Sequence, residues 1–293
     1  MKIVQSYWSK PSNKQGRLHP NDRNLGGWLE KKFNYMSWIL SCHQLNKFYP
    51  NIELVTDEEG YELLINKLEL PYSNVRVELN QLDDYHSDLW ALGKIYAYGV
   101  QDEPFLHVDG DVFIWDYFPD TFKNAKLIAQ NQDKDEPGYA EVYKYVFKNF
   151  DFIPKEIPVR NGAIFSVNAG VFGGSDLTFF KDYTSLVFEF VDRNLNRMEG
   201  LNRGAFNMFY EQLLFYCMAK DRQQEIEFLV DDERLLLDKH VNFAGIPSNS
   251  NYLHSVGSFK RRKETGKLLE YTIKNYYPER YYHLKDLLWQ NKI

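Results

Sequence analysis

Apolar and polar residues alternate along KIVQSYW at the start of the chain, the period-two pattern of a half-buried strand. After a polar stretch containing Gly and Asn, WLEKKFNYMSWILSCHQLNKFY carries apolar residues at helical spacing, and NIELVTD following Tyr49-Pro50 reads as the next strand. EEGYELLINKLELPY predicts a helix that ends before Pro71, NVRVEL a third strand, and SDLWALGKIYAYGV a third helix with Ser87 as its N-cap. FLHVDGDVFI follows as a strand. Strand and helix thus alternate between Lys2 and Ile114, which predicts an α/β protein whose largely parallel sheet is covered by helices.

The second half is less regular. KLIAQNQD reads as a strand, AEVYKYVFKNF as an aromatic-rich helix, and AIFSVNAGVFGGSD as a strand running into a Gly-rich turn. DLTFFKDYTSLVFEFVDRNL and RGAFNMFYEQLLFYCMAKD predict two long helices, and IEFLVDD another strand. LLEYTIKNYYPERYYHLKDLLWQ is helical, aromatic and locally basic, with a break near Pro278. There is no internal repeat and no clean linker, and 293 residues suit one large α/β domain or a domain with an appended subdomain.

Composition narrows the function classes. Hydrophobic residues at 44% and charged residues at 26% describe an ordinary globular chain, while aromatic content of 16% suits either ring stacking or an aromatic core. The net charge of −6 argues against nucleic acid as a partner. From Ser258 to Ile293, however, nine Lys or Arg face four Asp or Glu, so the C-terminal segment is basic. Cys42 and Cys217 are too few for a disulfide framework and read as buried thiols of a reducing compartment. MKIVQSYWSKP is too short and polar for a signal peptide, and no apolar run approaches the length of a membrane span, so the expected location is cytoplasmic.

The chemistry concentrates at Asp109 and Asp111, set inside an otherwise mainly apolar run. On a continuous strand, residues i and i+2 point to the same face, and two buried carboxylates side by side repel unless a cation lies between them. Hard oxygen donors suit Mg²⁺ or Mn²⁺, which bridge protein carboxylates to substrate phosphates. The alternatives are a plain pair of strand-end aspartates in a turn, or the Asp-x-Asp of a haloacid-dehalogenase-like phosphatase with Asp231 and Asp232 as its later acidic pair. Continuation of the strand through VFIW argues against the phosphatase.

Two further stretches bear on this choice. In SVNAGVFGGSD, Gly170, Gly173 and Gly174 permit close backbone approach, and Asn168 offers a donor and an acceptor for sugar hydroxyls; a bulge before a helix explains the glycines equally well. In LHSVGSFK, His254 can be a neutral imidazole ligand, Gly257 admits a phosphate and Lys260 can meet its charge.

In this order, Asp-Gly-Asp, Asn-Ala-Gly and His-x-x-Gly-x-x-Lys resemble the nucleotide-sugar glycosyltransferases of the GT-A fold, most closely the glycogenin-like family 8 and its bacterial galactosyltransferase relatives. The resemblance implies a Rossmann-like, mixed but mainly parallel sheet flanked by helices over residues 1–260, with 261–293 a dependent helical extension. It implies Asp109, Asp111 and His254 as ligands of Mn²⁺ or Mg²⁺, with Gly257 and Lys260 on the diphosphate of a UDP-sugar. Asn168, Ala169 and Gly170 would lie beside the sugar, Tyr7, Trp8 and Ser9 beside base and ribose, and Lys94 against the donor. The family's Asp-Gln pair has its counterpart in Glu211-Gln212, a departure from Asp to Glu, and Arg261-Arg262 stands where the family has Pro-Trp.

The implied reaction moves a sugar from a nucleoside diphosphate to a hydroxyl acceptor, with cation and Lys260 stabilising the departing diphosphate. Inversion would require a base, for which Glu211 is the candidate; retention, toward which the resemblance leans, would not. The basic aromatic tail offers peripheral contact with the inner face of a membrane if the acceptor is a glycolipid or another glycan precursor; the alternative is a helix packed on the sheet with a solvated basic face. An inactive nucleotide-sugar-binding protein on the same scaffold is the third class.

Overall fold

The computed structural model describes residues 1–13, 24–135, 138–159, 162–230, 243–248 and 250–293. The fold is α/β, with a mainly parallel, mixed seven-stranded sheet flanked by helices and a separate two-stranded ribbon. The chain divides into two compact units, each assembled from separated stretches.

The first unit takes its described residues from 2–87, 108–118 and 243–293. Strands β1 (Lys2–Tyr7), β2 (Ile52–Thr56) and β3 (Asn74–Val77) pair in parallel, with Val4 opposite Glu53 and Glu53 opposite Asn74. Helix α1 (Lys31–Phe48) makes the crossover from β1 to β2. The side chain of Asp57 caps α2 (Glu58–Tyr61) by accepting from Gly60 N at 2.7 Å, and α2 widens into π-type turns through Lys67. Every residue of β2 is buried, and the carboxylate of Glu53 is offset by Lys2 at 3.5 Å and Arg76 at 3.2 Å. Two C-terminal helices close this unit, α8 (Lys263–Tyr276) and α9 (Pro278–Trp289), with Pro278 at the first helical position of α9. Leu269 and Ile273 of α8, and Leu284 and Leu287 of α9, stand at helical spacing in the buried cluster that also holds Phe33, Met36 and Leu40 of α1.

The second unit takes its described residues from 88–107 and 119–230, together with Met1. It holds α3 (Leu92–Gly99), the start of β4 (Phe105–Val108), β6 (Leu127–Lys134), α4 (Tyr139–Asn149), β7 (Phe165–Gly174), α5 (Leu177–Asp192) and β8 (Ile226–Phe228). Strand β6 pairs antiparallel with β7 and parallel with β8. Helix α6 (Arg203–Met208) runs through a π-type segment, Phe209–Leu213, into α7 (Leu214–Asp221). Much of the high aromatic content is core here: Phe172, Phe179, Phe180, Tyr183 and Phe215 pack edge to face, tilted or stacked, with Phe172 and Phe215 centroids 4.3 Å apart.

Three local expectations are corrected. Helix α3 starts at Leu92, so Ser87 is not its cap; the Ala91 N–H instead donates to Asn207 Oδ1 at 2.9 Å. The Gly-rich segment is strand through Gly174, and its last two glycines serve packing, because a Cβ there would strike the carbonyls of Phe105 and Lys126. FLHVDGDVFI is two strands, β4 and β5 (Val112–Ile114), with Asp109-Gly110-Asp111 between them. Among the described residues no helix is long and apolar enough to cross a membrane.

Candidate metal centre

The two aspartates converge by a turn, not by the alternation of a strand. Carbonyls that a continuous strand would present to its neighbours are bound by side chains: Gln5 Nε2 donates to Val108 O at 3.2 Å, and Ser37 Oγ to Gly110 O at 2.6 Å. Ser41, one helical turn beyond Ser37 on the same face of α1, also reaches Asp109 O, at 3.4 Å. Val112 N closes the turn on Asp109 O at 3.0 Å. Gly110 is required by space, since a Cβ would come within 2.6 Å of the Trp38 ring that lies against the turn.

Strand β5 pairs antiparallel with β9 (Tyr252–His254), placing Val112 opposite His254, and Ser255 N donates to Asp111 O at 3.0 Å. Through this ribbon the imidazole is delivered to the turn. One ligand atom from each of Asp109, Asp111 and His254 lies within 4.8 Å of the others, and Asp111 and His254 are buried. Two carboxylates and an imidazole at this separation fit a divalent cation such as Mn²⁺ or Mg²⁺.

Lys260, on the 3₁₀ turn Gly257–Arg261, completes the group. Its ammonium forms an ion pair with Asp111 and donates to Gly26 O at 3.0 Å. Burial acts to raise the Asp111 carboxyl, but Lys260 and His254 outweigh it and hold that carboxyl well below the usual carboxylate range. Tyr252 is buried nearby, and its hydroxyl is raised well above its ordinary value by burial and by Asp109 and Asp111. Gly257 takes a left-handed φ of 55°, and among the described residues no heavy atom lies within 4 Å of where its Cβ would be.

In the second unit, Lys94, Ala169 and Glu211 come together. Lys94 Nζ lies 2.7 Å from Glu211 Oε1 and donates to Ala169 O at 3.2 Å, and the Tyr98 hydroxyl donates to Glu211 Oε1 at 3.1 Å. Glu211 is fully buried in the π-type segment between α6 and α7, with Tyr183 OH donating to its backbone carbonyl at 2.5 Å. Gln212 Oε1 accepts from Tyr139 OH at 3.4 Å, and Asn168 Oδ1 accepts from Gly170 N at 3.0 Å, so Asn168 folds onto its own Asn-Ala-Gly segment.

At the end of β1, the Ser9 N–H and Oγ–H donate to Asp57 Oδ2 at 2.8 and 2.7 Å. The Tyr7 ring meets Trp38 edge-on at 5.2 Å, and Trp8 is buried with an indole N–H that has no partner among the described residues. Asp231 and Asp232 lie outside the described residues.

Sequence reasoning missed the pairing of Lys260 with Asp111, the supports Gln5, Ser37 and Ser41, and Asp57. Only Asp57 carried a signal, as an acidic residue ending a parallel strand, where open α/β sheets bind their ligands. The family model described as "Family of unknown function (DUF6734)" matches residues 1–287. No curated protein matches the chain.

Proposed function

The chain belongs to the DUF6734 family, whose function is unknown, and we propose that it is a metal-dependent glycosyltransferase moving a sugar from a nucleoside diphosphate sugar, UDP-linked first, to a hydroxyl acceptor. The carrying observation is the convergence of Asp109, Asp111 and His254 within 4.8 Å, with Lys260 on the same carboxylate. Asp109, Asp111 and His254 would hold the cation, which supplies neutralisation of the diphosphate charge when bound. Lys260 supplies a further positive charge for the departing phosphate, and at the left-handed turn of Gly257 none of the described residues comes within 4 Å of where a Cβ would be. Ser9 and Asp57 form a rigid donor–acceptor pair at the strand end, suited to the nucleoside. Glu211, with Lys94 beside it, is assigned to the sugar by the resemblance.

The acceptor we propose is a glycan or glycolipid, with peripheral membrane contact through the C-terminal helices, where Tyr271, Tyr282 and Trp289 are exposed. Calorimetric titration of UDP, with Mn²⁺ and with chelator, tests the reading on wild type and Asp111→Asn. Metal-dependent binding lost in the variant supports it. The phosphatase keeps one favourable observation: Asp109 directly follows a strand end and enters a turn. Hydrolysis of phosphate monoesters without nucleotide binding would put that reading first.

A further inference from the structure

The ammonium of Lys260 sits on the carboxylate that a divalent cation would need. It is almost wholly buried, it is paired with Asp111, and among the described residues it also donates to a neutral carbonyl, that of Gly26, at 3.0 Å. Gly26 belongs to the tight turn Asn24–Gly27, in which Leu25 and Gly26 both take left-handed backbone angles. One lysine therefore ties this turn to the Asp-Gly-Asp turn.

A divalent cation on Asp111 and an ammonium in contact with the same carboxylate would be two positive charges at close quarters in a poorly screened place. They are compatible only if the ammonium moves off or an anion comes between them. We propose that Lys260 is an exchangeable internal counter-cation: it occupies Asp111 until a divalent cation displaces it, and the displaced ammonium is then taken up by the phosphate groups of the ligand. The inference rests on the metal reading above and adds its regulation. Cation alone binds weakly because it must evict Lys260; cation with a diphosphate binds well because the evicted ammonium gains an anionic partner. Metal and nucleotide thereby favour each other's binding, as linkage requires.

The test measures Mn²⁺ binding without nucleotide, by paramagnetic resonance of the free ion, on wild type, Lys260→Met, Lys260→Arg and Asp111→Asn, followed by UDP binding at saturating Mn²⁺. Lys260→Met is expected to bind Mn²⁺ at least tenfold more tightly than wild type and UDP at least tenfold more weakly, while Lys260→Arg, which keeps the charge, stays near wild type for Mn²⁺. Lys260→Gln replaces the methionine variant if the latter does not fold. Unchanged or weaker Mn²⁺ binding by Lys260→Met would overturn the exchange while leaving the metal site standing, provided that Asp111→Asn abolishes it. Tighter Mn²⁺ with unaltered UDP affinity would equally overturn the hand-over to phosphate. Absence of Mn²⁺ binding to wild type and Lys260→Met alike would remove the metal reading itself, and the exchange with it.

Discussion

The imidazole Nε2 of His254 lies 3.5 Å from Asp111 Oδ1, and the two meet because the ribbon of β5 and β9 sets Val112 opposite His254. A residue late in the chain is thus delivered to the Asp-Gly-Asp turn by backbone pairing, with Lys260 following on the next turn. Removing the carboxylate should be felt in both stability and binding. Asp111→Asn is expected to cost about 3–5 kcal/mol, because it leaves a buried ammonium without its carboxylate. Urea unfolding measures that loss. In parallel, Mn²⁺ should raise the melting temperature of the wild type and not that of the variant.

Two glycines near the site make a matched contrast. At Gly110 a methyl group would fall 2.6 Å from the Trp38 ring, so Gly110→Ala must displace the indole or the turn. A loss of about 1–3 kcal/mol is expected from overpacking, with weaker Mn²⁺ binding. At Gly257 no described residue lies within 4 Å of a Cβ but φ is left-handed at 55°, and Gly257→Ala should cost about 1 kcal/mol through backbone strain. Thermal unfolding of the two variants, each with and without Mn²⁺, separates the cases.

Alternation and helical spacing made the α/β architecture legible, down to the break at Pro278. The interruption after Val108 was not legible, because FLHV and VFIW look alike as strand on both sides of it. What ends β4 is a set of side-chain donors, Gln5, Ser37 and Ser41, brought from β1 and α1 by tertiary structure. Spacing predicted two aligned carboxylates, and the carboxylates do converge, but by a turn. The same limit applies to Gly173 and Gly174: a glycine needed for close strand packing and one needed for a ligand read identically in one sequence. Lys260 was expected to face phosphate, and its bond to Asp111 depended on a chain reversal that no local pattern encodes.

The Lys94–Glu211 pair separates structural from chemical roles. Glu211→Ala takes the buried carboxylate from Lys94 and is expected to cost about 3–5 kcal/mol in urea unfolding. Glu211→Gln keeps the shape and an acceptor for Tyr98, so it should fold more stably than the alanine variant. If Glu211 serves the sugar, Glu211→Gln will bind UDP and Mn²⁺ as the wild type does, while transfer falls by about 10²-fold or more. Equal loss of binding and turnover would make Glu211 a structural residue only.

His43 supplies a pH dependence away from the site. Burial, with Arg280 and Lys47 nearby, lowers its pKa to about 4, and the ring rests on Tyr277 with centroids 4.9 Å apart. The unfolded chain takes up this proton near pH 6.5, whereas the folded protein resists it until about pH 4. The contribution is therefore present at neutral pH and is lost as the pH falls from about 6.5 to 4. Its size should be at most about 2 kcal/mol, because part of the ring remains in water. Denaturant unfolding at pH 7, 6 and 5 should show the slope in wild type and a shallower one in His43→Gln.

The C-terminal helices combine an apolar inner face with exposed aromatic rings in a basic segment. Leu284 and Leu287 of α9 are buried, whereas Tyr282 and Trp289, seven residues apart and so on one side of the helix, are 55% and 88% exposed. Tyr271 of α8 is 68% exposed as well. Tyrosine and tryptophan favour the headgroup level of a bilayer, and the excess of Lys and Arg from Ser258 onward would be drawn to anionic lipid. Sedimentation with vesicles containing phosphatidylglycerol should therefore carry the protein down, and neutral phosphatidylcholine vesicles should not. Trp289→Ala and Tyr282→Ala together should lower the bound fraction several-fold without changing the melting temperature, since neither ring is in the core. Raising the salt from 50 to about 500 mM should release the wild type, because the electrostatic part is screened within about a Debye length. Binding that ignores both lipid charge and these two rings would show that the basic aromatic face is merely solvated.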